Sequence, residues 1–114
     1  MTFEWDENKN RENKKKHGIS FEVAIRVFLD NKRIEKFDEK HSTDEEERIN
    51  VIGRVSDMLI LFVVNTDRNG KTMIISARRA EPNEEAEYYE NYDARWGKET
   101  SSAYRRGSRR SDEF

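Results

Sequence analysis

The segment Leu59–Val64 is continuously apolar in a chain whose charged residues make up 40% of the total, and turn signals stand on both sides of it. Ser56-Asp57 precedes the run, and Asn69-Gly70 follows its polar continuation. An apolar run of strand length between turns belongs at the centre of a sheet. Asn-Gly is a strong hairpin signal because both residues accept the positive φ that a tight turn requires. Ile49, Val51 and Val55 alternate as a half-buried strand on one side, and Lys71–Ala80 supplies a strand on the other. With Arg33–Asp38 as a further strand and a polar loop from His41 to Glu46, the middle of the chain reads as a four-strand antiparallel meander.

The N-terminal segment carries helix signals. Phe3-Glu4-Trp5 is the length of an edge strand, Asp6 is an N-cap, and Gly18 suits the left-handed residue after a helix ending at His17. A second helix begins at Ser20, with Ile19 and Ala24 at staple positions and Phe21, Ala24, Ile25 and Phe28 on one face. Pro82 ends the last strand, and Glu84–Tyr92 forms a further helix with acid-rich faces. The expected fold is α+β: an N-terminal helical hairpin on an antiparallel meander, then a C-terminal helix, with the helices on one face of the sheet.

Composition limits the core and the chemistry. Leu, Ile, Val and Phe together number 23 of 114 residues, so the core is thin and a bound partner would add much of the working stability. Cysteine is absent, which excludes a disulfide scaffold and a thiolate metal site and suits the cytoplasm. No apolar run approaches the ~20 residues that span a bilayer, and the first residues show no signal-peptide core. Charge is segregated: residues 81–93 hold six acidic and no basic side chains, whereas 94–111 hold six basic and one acidic. The chain therefore divides into a domain over 1–93 and a basic, flexible tail over 94–114. It has no Gly-rich phosphate loop, His-x-x-x-His, cysteine nucleophile or nucleophile elbow. The carboxylates at 44–47 lack the spacing of a calcium loop, so neither a metal nor a cofactor is expected.

Two-residue turns at Ser56-Asp57 and Asn69-Gly70 would put Glu47 opposite Thr66 and Arg78 opposite Leu61. Lys71 would pair with Arg68, beside Glu45–Glu47 at one end of the sheet, and Arg78 and Arg79 would lie at the other. Seven steps along the strand separate Lys71 from Arg78, roughly 23 Å at strand rise, too far for both arginine groups to hold one phosphate. Arg78 would share a face with Ser76 and Ile74, and Arg79 with Ala77 and Ile75. An ion pair between the strand-end arginines and the acidic segment after them is the competing assignment. His41 is the better placed of two histidines for proton transfer. Glu47 is a second candidate base, or else orients Arg68 or joins a cross-strand ion pair. Lys16 and His17 cap the first helix or contact a polyanion, and Trp5 packs against the helices.

Trp5-Asp6-x-x-Lys9-x-x-x-Asn13-x-x-Lys16-His17-Gly18-Ile19-Ser20-Phe21, together with Ile74-Ile75-Ser76-Ala77-Arg78-Arg79-Ala80, resembles the BrnT family of type II toxin–antitoxin toxins over roughly residues 3–92. The resemblance implies a RelE-like fold and an endoribonuclease in which a 2′-hydroxyl of RNA attacks its adjacent phosphate. It implies catalysis by His41 or Glu47 as base with Arg68 or Arg78 stabilising charge, and RNA binding by Lys16, His17, Arg48 and Arg79. A small antitoxin follows as partner, a BrnA-like ribbon-helix-helix protein that masks the site, with DNA met only through it. Glu84 and Tyr88 hold family positions, but Glu85 stands where the family commonly has arginine. A non-catalytic RNA- or protein-binding module on the same fold is the rival reading, since cationic side chains serve both.

Overall fold

A computed structural model describes residues 1–99, with side chains through Tyr92. The elements run β1 (Phe3–Glu4), α1 (Glu7–His17), α2 (Phe21–Ala24) continuing as a 3-10 turn over Ile25–Leu29, β2 (Ile34–Phe37), β3 (Arg48–Ser56), β4 (Leu59–Arg68), β5 (Lys71–Arg79) and α3 (Pro82–Glu99). The five strands are ordered β1-β5-β4-β3-β2. β2 to β5 form the antiparallel meander, and β1 makes the sheet mixed by pairing parallel to β5 at Thr72 and Met73.

Local signals act where the sequence places them. Asp6 caps α1 by accepting from the Asn8 and Lys9 N–H groups, and Gly18 takes φ 73°. Asn69 and Gly70 take φ 56° and 80° in the β4–β5 hairpin. The second helix is shorter than its apolar pattern predicts. It tightens to 3-10 at Ile25, where residues three apart stack, so Val27 rather than Phe28 extends the buried row of Phe21 and Ala24. Phe28 packs instead on Phe3, with ring centroids 5.2 Å apart. β3 passes so close to this turn that a Cβ on Gly53 would lie 2.9 Å from the Val27 Cβ.

Both faces of the sheet are covered, which corrects the expectation of helices on one face. Phe21, Ala24 and Val27 bury Val51, Leu61, Val63, Ile74 and Ala77 on the first face. On the second, Tyr88 of α3 is fully buried with Ile52 and Ile60, and its hydroxyl donates to Asp30 Oδ2 at 2.6 Å. α3 is helical to Glu99, past the expected domain boundary at residue 93. The rest of the expected basic tail, 100–114, lies outside the described residues.

α1 has no apolar side chain, yet it is docked. Asn13, buried at 7% exposure, donates to the carbonyls of Ile19 (2.8 Å) and Ala77 (2.7 Å) and accepts the Ala77 N–H at 3.2 Å. Its amide thus takes the place of a neighbouring strand on the edge of β5 beyond β1. Asn10 joins α1 to α2 by accepting the Phe21 N–H at 2.8 Å and donating to Glu22 at 3.0 Å. Replacing Asn13 with Ala strands three backbone groups, so urea unfolding should show a loss on the order of 2–4 kcal/mol. Lys15→Ala, on the exposed side of the same helix, should stay within about 0.5 kcal/mol.

Candidate functional site

Two irregularities decide which side chains meet. The β3–β4 turn is Asp57-Met58, not Ser56-Asp57, and the ladder shifts by one residue at Val55. Arg48, rather than Glu47, therefore lies opposite Thr66. A second shift at Ile75 puts Arg78 opposite Phe62 instead of Leu61, and Ser76 opposite Val64. Ile74 turns into the core, while Ser76 and Arg78 share the other face with Asn50, Phe62 and Val64. The predicted grouping of Ile74 with Ser76 and Arg78 is thus broken by the bulge. Arg79 stays on the Ala77 side of the strand, exposed and away from the cavities described next.

On the Arg78 face lies a cavity of about 400 Å³, walled by Arg78, Ser76, Phe62, Val64, Asn50 and Arg48, with Asp38 and His41 contributed by the β2–β3 loop. Arg78 is held on three sides. Its Nη1 and Nη2 each donate to Glu84 at 2.9 Å, Nη1 also reaches the Arg79 carbonyl at 3.0 Å, and its guanidinium lies 4.2 Å from the Phe62 ring centroid. The hydrogen-bonded Glu84 carboxylate raises the Arg78 pKa against partial burial. Burial pushes Glu84 up, but the bonds from Arg78 and the Glu81 N–H, with the charge of Arg78, outweigh it and leave its pKa lowered. The competing assignment, an ion pair with the acidic segment, is therefore present for Arg78, through Glu84. His41 Nδ1 sits 2.9 Å from Asp38 Oδ2. That bond, ahead of the opposing effect of burial, holds the Asp38 carboxyl below its ordinary pKa, assisted by the His41 N–H and the Asn50 amide.

A second depression of about 230 Å³ holds Arg68, Lys9, Asp6 and, again, Arg48, beside Glu46. Glu46 accepts from Arg48 Nε at 3.1 Å and from Arg68 Nη2 at 3.3 Å. The acid that orients Arg68 is thus Glu46, not Glu47. The Glu47 side chain is exposed and makes no hydrogen bond or ion pair among the described residues, although its carbonyl accepts from Thr66 at 2.7 Å. A third depression, about 250 Å³, lies between α1 and the bulge, lined by Lys9, Glu12, Asn13, Lys16, His17, Ile75 and Ser76.

Shared walls join the three. Arg48 borders the first and second, Lys9 and Ile75 the second and third, and Ser76 the third and first. Arg68 and Arg78 do occupy separate places, as their strand separation requires, and Arg48 bridges them. Sequence reasoning missed Lys9, Glu46 and Ser76 as members. Glu46 and Arg48 are two apart, as residues on one side of an extended segment are. Among the described residues no group of three or more His, Cys, Asp or Glu side chains is placed to hold a metal ion, and no helix is long and apolar enough to cross a membrane.

The arrangement suits an extended polyanion: adjoining depressions carry Lys9, Lys16, Arg48, Arg68 and Arg78 beside the carboxylates of Asp6, Glu12, Asp38 and Glu46, with an imidazole and two guanidinium groups in one of them. No curated protein matches the chain. Its structure is similar to the crystal structure of the Brucella abortus ribonuclease toxin BrnT, with a TM-score of 0.54 and 26% identity over 71% of this chain and 97% of that one. The family model of the ribonuclease toxin BrnT of type II toxin–antitoxin systems matches residues 5–84. That match takes in α1, the whole meander and Glu84, and by it the chain belongs to the BrnT family of ribonuclease toxins.

Proposed function

We propose that this toxin is a metal-independent, RelE-like endoribonuclease that cuts single RNA strands laid around the β5 edge. The observation that carries the reading is the common cavity of His41, Arg48 and Arg78. The 2′-oxygen–phosphorus bond forms as the phosphorus–5′-oxygen bond breaks. His41 takes the 2′-hydroxyl proton, and the departing 5′-oxygen takes a proton from water. Arg78 and Arg48 neutralise the charge that gathers on the phosphoryl oxygens. Assigning the base to His41 over Glu47 is supported by placement, since Glu47 borders none of the three depressions. Arg68, Lys9, Lys16 and His17 would hold phosphates of the neighbouring strand. Arg79, on the other side of β5, contributes to a more distant contact.

The family implies an antitoxin partner. We assign it the ribbon-helix-helix class and a binding mode that covers the Arg48–Arg78 cavity, with both proteins in the cytoplasm. Because the core is thin, saturating antitoxin should raise the toxin's thermal unfolding midpoint, by an amount that grows with concentration above Kd. An unchanged midpoint would count against this pairing.

Cleavage of RNA by the purified protein should survive EDTA, yield 2′,3′-cyclic phosphate ends and spare DNA. Arg78→Ala should slow it about 10²–10³-fold, the usual cost of one transition-state donor. Arg78→Lys is measured beside it, with the unfolding midpoint of each variant, because truncation leaves the Glu84 side chain, 12% exposed, without its partner. RNA bound but left intact by folded wild-type protein would favour the binding-module reading. EDTA-sensitive cutting of DNA would contradict the mechanism.

A further inference from the structure

One carboxylate holds the His41 ring. Asp38 Oδ2 lies 2.9 Å from Nδ1, and Oδ1 accepts the His41 backbone N–H at 3.3 Å. Asp38 is itself anchored to the sheet. Its N–H donates to the Arg48 carbonyl at 2.8 Å and its carbonyl accepts the Ser42 hydroxyl at 2.6 Å. The same hydroxyl oxygen accepts the Arg48 N–H at 2.9 Å. The Asp38 side chain is 16% exposed and that of His41 is 60% exposed, so a fixed, covered carboxylate faces an open ring. Among the described residues nothing else bonds the imidazole.

An ionised carboxylate only accepts, so in the neutral ring the proton sits on Nδ1 and the Nε2 lone pair is free. Without Asp38 the proton is free to occupy either nitrogen. We infer that Asp38 is a positioning residue that fixes His41 as the Nδ1–H tautomer, leaving Nε2 as the basic atom at the cavity shared with Arg48 and Arg78. The inference rests on the ribonuclease reading for its consequence in catalysis, but the tautomer is measurable without any RNA.

Ring-nitrogen NMR on the whole protein, at a pH well above the ordinary imidazole titration, reads it directly, with His17 as internal reference. Wild type should show His41 protonated at Nδ1, and Asp38→Ala should move it to a mixture or to Nε2–H while His17 stays put. Asp38→Asn, which keeps an oxygen for the His41 backbone N–H but turns an amide N–H2 donor toward Nδ1 and so should favour the Nε2–H ring, is the second variant should the alanine protein not fold. In RNA cleavage both variants should lose kcat by about 10²-fold or more, with KM changed less than about threefold. An unchanged His41 tautomer in folded Asp38→Ala and Asp38→Asn would overturn the inference. So would unaltered kcat in an enzyme that His41→Ala inactivates, or a loss carried by KM alone. Wild-type protein that cuts no RNA would refute the ribonuclease reading instead, and the tautomer shift would still decide the role of Asp38.

Discussion

The Asn13 amide is the contact on which the docking of α1, and with it the placement of Lys9 and Lys16, depends. β1 pairs with β5 only at Thr72 and Met73, which leaves the rest of that edge to be satisfied by something else. Asn13 answers both the N–H and the C=O of Ala77 and the carbonyl of Ile19 at once, so α1 is fixed across the sheet edge by hydrogen bonds, not by apolar burial. Unmade, those bonds would leave buried polar groups without partners, a cost that a core this thin is poorly placed to absorb. With Asn13 seated, Lys9 and Lys16 border the depression beside Ile75 and Ser76.

The second determinant is the pair of one-residue shifts in the ladder. A shift by one exchanges the faces of every residue beyond it. The shift at Val55 puts Arg48 and Asn50, two apart on β3, on the face of Phe62 and Val64. The shift at Ile75 sends Ile74 inward while Ser76 and Arg78 join the same side. Arg78 then stacks on Phe62 and meets Glu84 at the start of α3. Its guanidinium is thereby set in one orientation before any phosphate arrives, which lowers the cost of ordering it on binding.

Much of the fold was legible because its signals are local. Asp6 and Gly18 end α1 through their own backbone preferences, Asn69-Gly70 makes its hairpin, and Leu59–Val64 sits centrally because its apolar side chains need cover on both faces. The unread parts depend on distant partners. Nothing in Asn10 or Asn13 distinguishes a buried amide from a solvated one until β5 and α2 lie beside them. Bulges leave no mark in a hydrophobic pattern, so the register slipped by one at both hairpins, and Glu47 was placed where Arg48 belongs. The last helix was legible after Pro82, but not the face that Tyr88 covers, since an acid-rich helix looks alike on either side of a sheet. His41, Arg68 and Arg78 stand out as candidates by residue type, whereas Asp38 and Glu46 gain meaning only from what they hold.

The central claim is that one RNA strand follows the β5 edge, with its reacting phosphate between His41 and Arg78. A structure of the toxin with an RNA made uncleavable by a single 2′-deoxy substitution tests it most directly. The account predicts the adjacent phosphate within hydrogen-bond reach of Arg78 or Arg48 and the 2′ position beside Nε2 of His41. The strand should then pass Ser76 toward Lys9 and Lys16. A phosphate seated instead at Arg68 and Glu46, with the His41 cavity empty, would contradict it.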